Sequence, residues 1–176
     1  MLCLLQQHFQ ALGFALLGSS FGCTPALLRF WQKAGFSPVK LSQHAEQASS
    51  EPSVLVIHPL QKSWQTQINQ LQQQFSQDLY WRLSGAQKQL CAEIVMQLVN
   101  PPRQSLSAAQ WQHLHLFAAG NRPFELVEVL LLHWFNLNYQ QLAPDTAQLL
   151  VKKLWQQHKW QQLAGRETGK QRCGKQ

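Results

Sequence analysis

Charge is scarce in this sequence. Asp, Glu, Lys and Arg make up 13% of its 176 residues, and glutamine fills many of the polar positions instead. The stretch QTQINQLQQQFSQ (65–77) is the densest case. Ile68, Leu71 and Phe75 recur in it at helical spacing, so it reads as a helix face and not as a low-complexity tract. Paired cysteines are missing too. Cys3, Cys23, Cys91 and Cys173 stand far apart with no C-x-x-C, which argues against a zinc site or a disulfide scaffold and fits reduced thiols. His113 and His115, two apart in a helical context, do not share a face, so no metal site is expected. The apolar run from Val127 to Phe135 contains Glu128 and His133 and is too short to span a membrane. The first 22 residues lack the basic start of a signal peptide, and QQHFQ interrupts their apolar run. The expectation is a soluble, cytoplasmic protein. No phosphate-cradling G-x-x-x-x-G-K-[ST] loop occurs.

What is present begins with a core. Apolar residues make up 45% of the chain, enough for one mid-sized domain or two small ones. The net charge is +7, and its placement matters more than its size. Residues 1–60 carry three Lys/Arg and two Asp/Glu, residues 61–151 five of each, and residues 152–176 seven Lys/Arg and one Glu. The excess lies in the last segment, at Lys152, Lys153, Lys159, Arg166, Lys170, Arg172 and Lys175. Such an end suits an anionic partner, nucleic acid first and membrane surface second, or is a solvated tail.

Element signals divide the chain near residues 60–63. Leu2 to Leu12 has a helical apolar pattern that Gly13 ends. Phe14 to Leu17 reads as a short buried strand running into a loop. Thr24 is a good N-cap with Pro25 at the first helical position, and the helix runs to Ala34 before Gly35 stops it. Ser37 to Leu41 and SVLVIHPL (53–60) read as strands. Everything after reads as helix: Ser63 to about Phe75, then DLYWRLSGAQKQLCAEIVMQLVN with a boundary at Ser84–Gly85 and a stop at Pro101–Pro102. Ser107 caps the next helix. NRPFELVEVLLLHWFNL starts one after Asn121, with Pro123 in its first turn and Glu125 near the positive end of its dipole. APDTAQLLVKKLWQQHKW makes one more.

The string LLGSSFGCTPALLRFWQKAGF (16–36) raises the question of a larger unit. A strand, a small-residue loop, a capped aromatic helix and a Gly-Phe entering another strand resembles the end of a GNAT acyltransferase domain. With the following SPVKLSQHAEQASSEPSVLVIHPL, it resembles the bacterial tRNA(Met) cytidine acetyltransferase family. FAAGNRPFE (117–125) and LAGRETGK (163–170) resemble the C-terminal tail of that family. The implied fold is α+β: residues 1–60 as the C-terminal portion of a GNAT-like domain, with about three strands and two helices, and residues 61–176 as an all-α tRNA-binding domain with a basic tail.

That resemblance implies a function and a site. The family forms N4-acetylcytidine at the tRNA wobble position, using acetyl-CoA and an ATP-consuming helicase-like module. It implies a cofactor side made of Ser20, Phe21, Thr24, Ala26, Trp31 and Lys33, and RNA contacts at Arg122, Lys152, Lys153, Lys159, Arg166, Lys170 and Arg172. Two positions depart from the pattern: an acidic residue is usual at Ala26 and an arginine at Lys33. Trp31 stands where many GNAT enzymes have a tyrosine acid, a role an indole N–H cannot fill. The Gly-rich loop that holds the CoA pyrophosphate is not in this sequence, and neither is the helicase module. The expectation is therefore a chain inactive alone, with tRNA and the missing N-terminal part as partners and no catalytic residue assigned. The rival readings are a stand-alone tRNA-binding or assembly module complementing a separate catalytic piece, and a helical adaptor with a vestigial α/β cap. An open sheet edge is expected where a further strand would pair.

Overall fold

Local signals build the first elements. The computed structural model describes residues 2–45 and 51–164. Helix α1 (Leu2–Ala11) ends at Gly13, whose φ of +83° a side chain would resist. Strand β1 (Leu16–Gly22) leads to Thr24, whose Oγ1 accepts the Leu27 amide at 3.2 Å and caps α2 (Pro25–Lys33). Gly35, at φ +84°, closes that helix, and the Phe36 amide returns to the Trp31 carbonyl at 3.1 Å. This six-residue return is the Schellman arrangement, and it folds Phe36 back onto Trp31.

Strands β2 (Ser37–Ala45) and β3 (Pro52–Pro59) complete an antiparallel sheet of order β1-β3-β2. Leu17, Ser19 and Phe21 lie opposite His58, Val56 and Val54. Opposed residues share a face, so this set forms the inner side, and Val54 and Val56 are fully buried there. Register shifts along β2 bend it away from strict pairing. Strand β1 has no second neighbour among the described residues.

Helices follow. They are α3 (Gln65–Arg82), α4 (Ala92–Leu98), α5 (Ala108–Ala118), α6 (Glu128–Asn138), α7 (Pro144–Leu150) and α8 (Trp160–Ala164). Between α7 and α8 the chain makes one π-helical turn, Val151–Trp155. The fold is mixed α+β, as the sequence implies. One buried cluster runs from Leu28, Phe36, Val54 and Val56 through Leu79, Leu83 and Val95 to Phe135, Val151 and Trp155. Helix α2 meets α4 through polar links as well: Gln32 Nε2 donates to the Gln97 carbonyl at 3.1 Å, and Arg29 pairs with Glu93 at 2.8 Å. The ion pair is solvated and adds about 0–1 kcal/mol.

Four element expectations are corrected. The first strand is not Phe14 to Leu17 but Leu16–Gly22. Its Gly-Ser-Ser-Phe-Gly end has weak strand propensity, and pairing with the β-branched β3 overrides that. The helix expected to stop near Phe75 continues to Arg82, and Ser84–Gly85 falls in the turn after it. The helix expected after Asn121 starts only at Glu128. Pro123 instead precedes a 3-10 turn, Phe124–Leu126, so Glu128 and not Glu125 occupies the first α-helical turn. The final helix is broken. Gln156 and His158 turn inward, where Gln156 Nε2 donates to the Leu90 carbonyl at 2.7 Å and His158 Nε2 lies 3.0 Å from the Lys88 carbonyl. Buried carbonyls in the 83–91 turn need partners, and the chain bends to supply them, leaving Gln157 at φ +53°.

Candidate functional site

The residues around the β1–α2 loop build an aromatic floor. Phe21 stacks on Trp31 with ring centroids 5.7 Å apart and planes 17° from parallel. Trp31 meets Phe36 edge to face at 4.7 Å, and Phe36 lies 5.2 Å from the His58 ring. His58 Nδ1 sits 2.7 Å from the Gly35 carbonyl, so the turn, the helix and β3 are held as one piece.

The six residues that the resemblance assigns to a cofactor side divide among four surroundings. Phe21 and Trp31 are half-buried against each other. Thr24 spends its hydroxyl on the helix cap. Ser20 lies on the opposite sheet face from Phe21, its hydroxyl 3.0 Å from that of Ser53. Ala26 and Lys33 are exposed, and with Phe30 they recur at helical spacing along the solvent side of α2. That stripe is apolar at one end and cationic at the other.

Cys23, beside this loop, is buried and unreactive by its surroundings. Burial, with the Glu51 carboxylate and Cys91 adding to it, pushes its thiol from 9.0 up to about 12. The folded chain then holds a proton that the unfolded chain releases as pH rises above about 9. This contribution to stability is complete below pH 9 and is lost as the pH climbs toward 12. Alkylation with iodoacetamide at pH 8 should modify the exposed Cys3 and leave Cys23 untouched until denaturant is added. Modification of Cys23 at the Cys3 rate in the native state would contradict this.

The basic residues also differ in how they are held. Arg122 is half-buried in the turn between Gly120 and Pro123. Lys153 sits on the π turn with its ammonium 4.8 Å from the Phe124 ring centroid, 5.2 Å from that of Trp160 and 3.7 Å from Glu128 Oε1. Its side chain is only 13% exposed. A cation enclosed by two rings and a carboxylate acts chiefly as a clamp within the fold. Phe124 meets Trp160 at 5.5 Å, which brings the segments carrying Arg122 and Lys159 together. Among the described residues Arg122, Lys152 and Lys159 form no ion pair. Arg166, Lys170 and Arg172 lie outside the described residues.

Sequence reading missed the clamp and the polar knot beneath it. Trp155 Nε1 donates to Asn136 Oδ1 at 2.8 Å, and Asn136 Nδ2 donates to the Pro102 carbonyl at 3.1 Å. The only hint was an asparagine inside an apolar helical run.

Known proteins place these features in a family context. Residues 1–61 match the family described as GNAT acetyltransferase 2. A tRNA(Met) cytidine acetyltransferase of Nitrosococcus halophilus is 31% identical over 166 residues, which is 86% of this chain and 22% of that protein. One from Vibrio cholerae is 31% identical over 81% of this chain and 20% of its own length. One from Methanopyrus kandleri is 28% identical over 84% of this chain and 19% of its own. The chain thus spans about a fifth of the length of the relatives it matches.

Proposed function

The chain is a relative of the tRNA(Met) cytidine acetyltransferases, and from that kinship we propose that its residues form the closing part of the acetyltransferase domain and the tRNA-contacting helices of such an enzyme. The reaction is formation of N4-acetylcytidine at the wobble position with acetyl-CoA and ATP. One observation carries the reading. Within the residues that match the GNAT family, β1, the Thr24 cap, α2, the Gly35 turn and β2 fold as one strand–helix–strand unit with an aromatic floor. In the acetyltransferase this unit flanks the acyl-pantetheine arm through Ala26, Phe30 and Lys33. Acetyl-CoA, when bound, supplies the acetyl group, and residues outside this sequence hold its pyrophosphate and perform the chemistry.

On this reading Arg122, Lys152, Lys159, Arg166, Lys170 and Arg172 neutralise tRNA phosphates, and Lys153 stiffens the surface that presents them. The 176-residue chain mixed with tRNA, acetyl-CoA and ATP should give no acetylcytidine by nucleoside mass spectrometry. It should still retard tRNA in a gel at low salt. Each lost phosphate contact lowers the log–log salt slope by ~0.7–0.9. The triple variant Lys152→Gln, Lys159→Gln, Arg166→Gln should therefore flatten the slope by about two to three. Efficient acetylation by the isolated chain would refute the first part, and an unchanged slope the second.

A second reading, a tRNA-binding or assembly module that completes a separately encoded catalytic piece, is favoured by the surface next to β1. Helix α1 has no buried residue, Leu4, Leu12 and Phe14 are all more than half exposed, and the outer edge of β1 is unpaired among the described residues.

A further inference from the structure

A groove of about 900 Å³ separates one face of α3 from the segment 96–103 that ends α4. This is near the top of the roughly 300–1,000 Å³ found for ligand clefts. One wall follows from helical spacing: Asn69, Gln73, Gln77 and Tyr80 recur every three or four residues along α3. The other wall is the extended Val99–Pro102 backbone, ending in Arg103. No carboxylate and no lysine lines it, and Arg103, exposed, is its single charge. At the rim stands Trp81, 76% exposed, whose ring neighbour is the edge of Tyr80 at 5.6 Å. An indole so open contributes little to packing.

The geometry points to an unpaired RNA segment as the occupant of this groove. Amide side chains offer donor and acceptor on one plane, as the edges of bases do. Gln73 and Gln77 have no hydrogen-bond partner in the fold among the described residues. An open indole provides a stacking platform, and one guanidinium without neighbouring carboxylates suits a phosphate. A fatty or aromatic ligand would leave these amides unpaired. An acidic peptide would find one cation, and a basic one no anion. The assignment rests on the reading that this chain contacts tRNA. It adds a site apart from the basic residues: the cations hold backbone and duplex, and the groove takes unstacked nucleotides.

The test titrates the full chain with a short, unstructured pyrimidine oligoribonucleotide and with an RNA duplex, by fluorescence anisotropy at low salt. Trp81→Ala should weaken oligonucleotide binding at least about fivefold, the lower bound for loss of one stacked base. Trp81→Phe should restore most of it, and duplex affinity should not move. The Lys152→Gln, Lys159→Gln variant should weaken both ligands. Photocrosslinking with 5-iodouridine in the oligonucleotide should place the adduct on Trp81 or Tyr80. Unaltered oligonucleotide affinity in both Trp81→Ala and Arg103→Gln, with tRNA still bound, would overturn the groove and leave the tRNA reading standing. Failure of the unmodified chain to bind any of these RNAs would overturn both.

Discussion

Trp155→Ala should cost about 3–5 kcal/mol of stability, the usual loss for deleting a large buried aromatic. For a chain of this length that is a fall in Tm of roughly 6–20 °C. Trp155 is 3% exposed and packs against Phe135 and Tyr139, each with ring centroids 5.1 Å away, and against Tyr80 at 6.0 Å. No neighbouring segment is free to fill the gap, because the π turn fixes the backbone on one side and the Gln156 and His158 bonds fix it on the other. The indole also satisfies Asn136, which is 1% exposed. Trp155→Phe separates the two contributions. It keeps most of the ring packing and orphans only the Asn136 oxygen, for about 1–3 kcal/mol. Urea titrations of both variants measure the difference. Equal losses would mean that the hydrogen bond, not the packing, dominates this knot.

How much of this could be read from the sequence depended on the range of the interactions. Thr24, Pro25, Gly35 and Phe36 announced their helix because a cap, a helix start and a return turn are each settled within a few residues. Ser107 did the same, although its reciprocal bond with Gln110 went unread. Strand β1 was cut short because Gly18-Ser19-Ser20 carries no local strand signal, and β3, which makes it a strand, lies more than thirty residues on. The break at Gln156 was invisible for the same reason. Its partners, the Leu90 and Lys88 carbonyls, are 66 and 70 residues away in sequence. Charge was legible as an excess but not as a set of roles. A run of two lysines gives no sign that Lys153 faces Phe124 and Trp160 and that Lys152 does not share that clamp. The glutamine-rich stretch was legible as a helix face, yet only folding shows the 96–103 segment standing across from it.

Phe36→Ala is the second large effect, again about 3–5 kcal/mol, and it bears on how the two parts of the chain depend on each other. Phe36 is 2% exposed, closed in by Trp31 and His58. It belongs to the buried cluster that passes through Leu28, Val54 and Val56 into Leu79, Leu83 and Val95. Helix α2 is tied to α4 by side-chain bonds at Gln32 and Arg29, and these would loosen with it. If that continuity governs unfolding, the substitution lowers one common midpoint: the far-ultraviolet signal of the helices and the tryptophan emission fall together, without a second step. If the chain instead divides near residues 60–63 into two independent units, the helical signal keeps its original midpoint and the curve becomes biphasic. A shared transition carries a functional corollary. On the proposed function, a cofactor bound along α2 would stabilise helices proposed to contact tRNA, and tRNA would by linkage tighten cofactor binding. Thermal shift of the chain with tRNA, compared between wild type and Phe36→Ala, measures that coupling. A wild-type shift that survives the substitution in full would show that tRNA binding by the helices does not need the aromatic floor.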